Sequence, residues 1–223
     1  MKKILLSLSL IVFISLNSCK KEEKTETTTE PESTEVAVTE NSLGNYLVDT
    51  AASSIKWTGT KPTGKHTGTI ALKEGGFTVT DGKIENGIFT VDMTSITVTD
   101  LEGDDKAKLE GHLKGLGGKE SEDHFFNTTK FPTSEFKIVG VENANGAYFV
   151  KGILTMKGIS KPVEFPAEIT ITDTDVTLHS DPFKINRTLW GVNYASKSVF
   201  DDLKDKFVDD DIELEVNVKA TKK

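Results

Sequence analysis

From about Tyr46 to the C-terminus, apolar and polar residues alternate in short runs separated by glycine, asparagine or aspartate. Ile212, Leu214, Val216 and Val218 interleave with Glu213, Glu215, Asn217 and Lys219, the period of two expected of a strand with one face in water. The same alternation runs through Phe89-Val91-Met93, Val163-Phe165-Ala167-Ile169-Ile171 and Val176-Leu178. Turns are predicted at Glu74-Gly75-Gly76, Asp81-Gly82, Glu85-Asn86-Gly87 and Asn143-Ala144-Asn145-Gly146. Helical periodicity is scarce. Asp104 to Gly115 predicts one helix, with Leu109, Leu113 and Leu116 on one face and Asp104 and Asp105 suiting its amino-terminal end, and Glu120 to Phe126 predicts a further turn. Many short strands with little helix predict an all-β domain, a closed antiparallel barrel of about eight strands with one or two short helices.

The first 44 residues have a different texture. Lys2 and Lys3 precede an apolar stretch, Ile4 to Leu16, which ends at Leu16-Asn17-Ser18-Cys19. This is the layout of a signal peptide. At about thirteen residues, the stretch falls short of the roughly 20 that a membrane-spanning helix needs. Cys19 is the only cysteine, so it has no internal disulfide partner. Leu16-Asn17-Ser18-Cys19 resembles a bacterial lipobox, in which the cysteine sulfur receives a diacylglycerol; an ordinary secretory peptide with a stray cysteine is the alternative. Several acyl chains give stable membrane attachment, since each buried methylene contributes roughly 0.8 kcal/mol.

Beyond Cys19 the chain is rich in Lys, Glu, Thr and Ser up to about Asn41, a composition that cannot offset the entropy of ordering. Such a tether of roughly 25 residues reaches about 25–30 Å. The predicted organisation is a lipoprotein signal peptide over 1–18, a disordered acidic tether over 19–44 and a β domain over 45–223. Lys20-Lys21-Glu22-Glu23 resembles signals that send some lipoproteins to the outer cell face, although a solvated linker explains it equally well. The expected location is the cell envelope, membrane-anchored through lipidated Cys19 and facing the periplasm or the cell surface.

Charge narrows the partners. The chain carries a net −8, and loss of Lys2 and Lys3 with the signal peptide leaves 25 basic against 35 acidic residues, a net −10. Nucleic acid is a poor partner for such a surface. A homodimer is left open.

No residue stands in a catalytic pattern. His66, His112, His124 and His179 lack metal-ligand spacing, and no metal is expected. His112 and His124 flank a glycine-rich segment and are placed to meet in space, although separate surface or half-buried histidines are the plainer reading. Gly115-Leu116-Gly117-Gly118-Lys119 lacks the remaining residues of a phosphate loop, and Asp209-Asp210-Asp211 lacks the glycine and closing glutamate of a calcium loop. No nucleophile elbow is present. Arg187 is the only arginine, and its planar fork suits either a ligand carboxylate or phosphate, or an ion pair that fastens a strand end.

Several ordered motifs resemble the YceI family of exported, lipocalin-like lipid-binding proteins. The most specific runs from Gly152 through Leu154-Thr155, Lys157-Gly158 and Lys161-Pro162-Val163. Others are Asp49 to Trp57, Gly64 to Gly68, His112-Leu113, Phe125-Phe126 with Phe131-Pro132, and Phe183 to Gly191 with Ile185, Arg187 and Trp190. Two features depart from the pattern: a longer insert over Lys114 to Asp123, and His124 in place of the usual aspartate before the paired phenylalanines.

The resemblance implies an extended eight-stranded antiparallel barrel whose elongated pocket encloses an isoprenoid lipid, a quinone or a similar hydrophobic ligand for transport, storage or stress protection. No other cofactor is implied. Candidate lining residues are Phe89, Val91, Met93, Phe125, Phe126, Met156 and Trp190, with Phe149 or Val150; Lys61, His66 and Arg187 are candidates for a polar head. An enzyme acting on a lipid or small envelope metabolite, using His66, His112 or His124, and a structural module with a filled core are the alternatives.

Overall fold

The computed structural model describes residues 43–116, 123–144 and 146–223; Cys19, the signal peptide, the tether and most of the glycine-rich insert lie outside them. Within the described residues the strands are β1 (Tyr46–Val48), β2 (Ser54–Lys61), β3 (Gly64–Thr80) and β4 (Lys83–Val98). Helix α1 (Gly103–Lys114) then leads to β5 (Thr133–Ala144), β6 (Ala147–Met156), β7 (Ile159–Ile171) and β8 (Asp175–Ser180). After β9 (Phe183–Asn186) comes a 3-10 turn, Arg187–Trp190, and the last strand is β10 (Asp211–Lys222).

All pairings are antiparallel, and the ring runs β10-β2-β3-β4-β5-β6-β7-β8 and back to β10. Ten strands make eight staves because two staves are built from two pieces each. β1 and β2 both sit between β10 and β3, at opposite ends. Likewise β9 continues the line of β8 along β10 after the break at Asp181-Pro182, where proline has no N–H to donate.

Register places the alternating apolar residues on one inner face. Leu214 lies opposite Trp57, Val216 opposite Ile55, Phe89 opposite Phe136, and Val150 opposite Phe165. Two of the four predicted turns form. Asp81-Gly82 closes the β3–β4 hairpin with both residues at positive φ, and the β5–β6 hairpin turns between Ala144 and Ala147.

The other two predicted turns are strand interior. Gly75 and Gly76 lie within β3, and Gly87 within β4. Their glycines admit close neighbours rather than reverse the chain: a Cβ on Gly75 would come within 2.7 Å of the Phe89 ring, and one on Gly76 within 2.3 Å of the Leu43 carbonyl oxygen. Aromatic rings lie over glycine elsewhere too, Trp57 over Gly68 and Phe136 over Gly152.

One end of the barrel carries the long connections. α1 with its following loop, the β6–β7 hairpin and the segment 187–210 all lie there, whereas the β3–β4, β5–β6 and β7–β8 turns and the incoming chain at Leu43 lie at the other. Helix α1 ends at Gly115, whose αL conformation lets its N–H reach the Gly111 and His112 carbonyls. That stop takes Leu116 off the predicted apolar face, so Leu109 and Leu113 pack on the core while Leu116 is exposed. Among the described residues, no helix is long and apolar enough to cross a membrane.

Candidate ligand-binding cavity

The inward side chains do not fill the barrel. Two apolar compartments, with about 140 and 90 Å³ of free space, share Ile55, Val91, Leu154, Ile185 and Leu214 in their walls and so follow one another along the axis. The inner one is bounded by Phe89, Phe136, Val150, Phe165 and Phe183, the last two stacked with ring centroids 4.5 Å apart. The outer one is bounded by Trp57, Met93, Ile96 and Met156 and is roofed by Leu113, Phe125 and Phe126.

Polar groups in the outer wall are few, and most are engaged. Ser134 donates its hydroxyl to the Met93 sulfur at 3.3 Å. Arg187 is 1% exposed and clasps backbone: Nε donates to Asp209 O at 3.0 Å, and the two terminal nitrogens donate to Val192 O at 2.5 Å and Val208 O at 3.0 Å. Asp210 lies 3.8 Å from the guanidinium. Burial lowers the Arg187 pKa, while Asp210 and Asp209 oppose that shift. The indole N–H of Trp57 is buried without a partner among the described residues.

The roof is pinned from three directions. Lys157, placed in αL by the tight Lys157-Gly158 turn, donates to Phe125 O at 2.8 Å and pairs with Asp123 at 2.9 Å. His124 Nε2 lies 2.9 Å from His112 Nδ1, and Tyr194 packs edge-on against both imidazoles. Phe126 and Thr128 donate backbone N–H groups to the Leu113 and Lys114 carbonyls at the end of α1. Exposed apolar side chains surround this end, namely Leu116, Ile159, Leu189, Tyr194, Val199 and Phe200.

Of the residues singled out from sequence, Val91, Met93, Phe125, Phe126, Met156 and Arg187 meet around the outer compartment, and Phe89, Val91 and Val150 around the inner. Four lie elsewhere. Trp190 is buried behind the wall and donates its indole N–H to Leu154 O at 3.0 Å. Lys61 is exposed at the β2–β3 hairpin, and His66 sits half-exposed against Asp100 at 2.9 Å. Phe149 takes the opposite parity from Val150 and pairs with Pro166.

Sequence reasoning missed Trp57, Phe136, Ile185 and Leu214 as lining residues. Trp57 and Ile185 stood in family motifs, and Leu214 stood in the clearest alternating strand. Among the described residues, no set of three metal-ligating side chains comes together.

Residues 46–220 match the YceI-like domain. The chain belongs to that family. A UPF0312 protein of Shewanella denitrificans is 32% identical over 90 residues, 40% of this chain; the match spans 39% of that relative's length. Two solved structures share the fold. One is BcnA of Burkholderia cenocepacia, with TM-score 0.58 and 20% identity over 77% of this chain and 98% of that one. The other is a polyisoprenoid binding domain from Saccharophagus degradans implicated in plant cell wall breakdown, with TM-score 0.59 and 12% identity over 80% of this chain and 99% of that one.

Proposed function

We propose that this YceI-like protein is an envelope lipoprotein that binds an isoprenoid or similarly long amphiphilic lipid inside its barrel, for transport, storage or stress protection. The observation that carries the reading is the pair of apolar compartments set end to end along the barrel axis. A linear hydrocarbon chain suits this shape. Withdrawing it from water contributes roughly 0.8 kcal/mol per methylene-sized group, about 4 kcal/mol for a five-carbon unit, so affinity needs no catalytic constellation. The Saccharophagus domain, described as polyisoprenoid-binding, supports the same ligand class. Exposed apolar side chains around the capped end fit exchange with a lipid surface.

Native mass spectrometry of the gently purified full chain tests the ligand. A stoichiometric adduct of isoprenoid mass is expected; protein that is consistently bare and takes up neither a quinone nor a polyprenyl phosphate would overturn the reading. The anchor is tested separately. Cys19→Ala is expected to move the protein from the membrane to the soluble fraction, and unchanged membrane retention would remove Cys19 from its role.

A further inference from the structure

We propose that His112 and His124 form a pH-operated latch that holds the roof of the cavity closed near neutrality and releases it in mild acid, admitting or discharging the enclosed chain. The inference rests on the lipid-binding reading and adds its regulation.

His112 lies in the last turn of α1 and His124 in the returning loop, so the contact between them ties the two halves of the roof together. Each is the immediate neighbour of a roof residue, Leu113 on one side and Phe125 on the other. Phe125 itself is held at φ 46°, in the left-handed region that a bulky side chain avoids, with Asn127 at φ 45° two residues on. Such a conformation persists only while its surroundings enforce it, and it marks a segment with somewhere easier to go.

Proton bookkeeping sets the direction. In the neutral pair one ring nitrogen donates its N–H and the other accepts through its lone pair. A first added proton settles on an outward-facing nitrogen and leaves that bond intact. A second protonates the accepting nitrogen, abolishes the bond and sets two cations face to face.

The surroundings give this second charge little relief. Lys157 and Arg187 are already cationic there, the latter 5.8 Å from the centroid of the Phe125 ring. Among the described residues, the nearby carboxylates are taken: Asp123 by Lys157 and Asn127, Asp210 by Ser198 and Arg187, and Glu110 by the Val98 N–H. Lys114, on the same helix, adds a further positive charge, and Tyr194 closes the remaining side with its ring.

Burial and then the charge of His124 hold the His112 pKa below its ordinary 6.5. Opening the roof would restore water to the imidazole and raise that pKa, so the open form binds protons more readily. The closed form is therefore fully favoured above pH 6.5 and loses ground as pH falls below it.

The test is stopped-flow uptake of N-phenyl-1-naphthylamine, a neutral dye that fluoresces in apolar surroundings, by the purified full chain between about pH 7.5 and 5. Wild type is expected to take up dye several-fold faster at the acid end, because the open form binds the proton more readily. The double variant His112→Phe with His124→Phe keeps the aromatic packing without titrating, and its rate should be flat. Should the double variant fail to fold, His112→Gln, which removes the buried imidazole and offers His124 an amide in hydrogen-bond reach, is read in its place and is also expected to be flat. A flat wild-type profile, or an equal acceleration in the variant, overturns the latch. Absence of uptake at every pH defeats the lipid-binding reading instead.

Discussion

At the residue scale, the buried Lys157 and Arg187 have structural duties. Arg187 was conspicuous in the sequence as the only arginine, with a ligand headgroup and a structural ion pair both open to it. The guanidinium spends three N–H groups on the carbonyls of Val192, Val208 and Asp209, joining the turn after β9 to the approach to β10. A lysine cannot reproduce that fork. Arg187→Lys is therefore expected to lower the unfolding free energy by about 2–4 kcal/mol, because buried carbonyls are left unpaired and the replacement charge is poorly solvated. Urea denaturation measures this directly. A loss below about 0.5 kcal/mol, the range of an ordinary surface change, would contradict the clasp. Trp57 presents the reverse case, a buried N–H beside an apolar cavity with no partner among the described residues; such groups are uncommon, and each normally has a reason.

At the scale of strands and turns, the glycines separate what backbone conformation demands from what packing demands. Gly82 sits at φ 70° with open space around its missing side chain, so Gly82→Ala bears only the left-handed backbone cost, roughly 1–2 kcal/mol. Gly152 has the opposite problem. A Cβ there would come within 2.2 Å of the Phe136 ring and 2.6 Å of the Lys137 carbonyl oxygen, so both ring and backbone must shift. Gly152→Ala is expected to cost about 3 kcal/mol, the upper range for overpacking, and to slow uptake of an apolar dye as Phe136 is pushed toward the inner compartment. Thermal melts of the two variants compare the costs, and a larger loss for Gly82→Ala would reverse the assignment.

The same contrast explains how far the sequence could be read. Alternation revealed β10 and the inner faces of β4 and β7 because one side of each strand is wet. Glycine misled at Gly75, Gly76 and Gly87, since local pattern does not distinguish a residue that turns the chain from one that lets another strand or ring approach. The β1–β2 and β8–β9 staves were beyond local reading for a related reason. Only the shared partner β10 shows that two pieces make one stave. In the cavity, apolar lining was legible by parity and family motif. The polar roles of Lys157 and Trp190 depend on contacts across more than 30 positions, to Phe125 and Leu154.

At the scale of the whole molecule, the barrel has a polarity. The chain enters at Leu43 at one end, and the roofed mouth with its exposed apolar rim lies at the other. The roof is also where acid should act first, in two separable stages. The upper stage belongs to His112, whose lowered pKa makes the closed roof lose ground below pH 6.5. The lower belongs to carboxylates of the roof and its clasp. Burial pushes the Asp123 pKa up, but hydrogen bonds from Lys157 and Asn127 and the nearby positive charge outweigh it and hold the carboxyl below 3.8. Burial likewise raises that of Asp210, while Ser196, Ser198 and Arg187 bring it below the same value. Each pKa is depressed in the fold, so each carboxylate contributes stability that is complete above its unfolded value near 3.8 and is lost as pH falls through the lower folded value. Acid titration should therefore show dye uptake accelerating first, with the barrel's far-ultraviolet circular dichroism unchanged, and global unfolding only below about pH 4. Asp123→Asn should remove part of the lower stage, because it removes one of the carboxylates that titrate there. A single transition in which dye uptake and circular dichroism change together would mean that the roof and the barrel open as one unit.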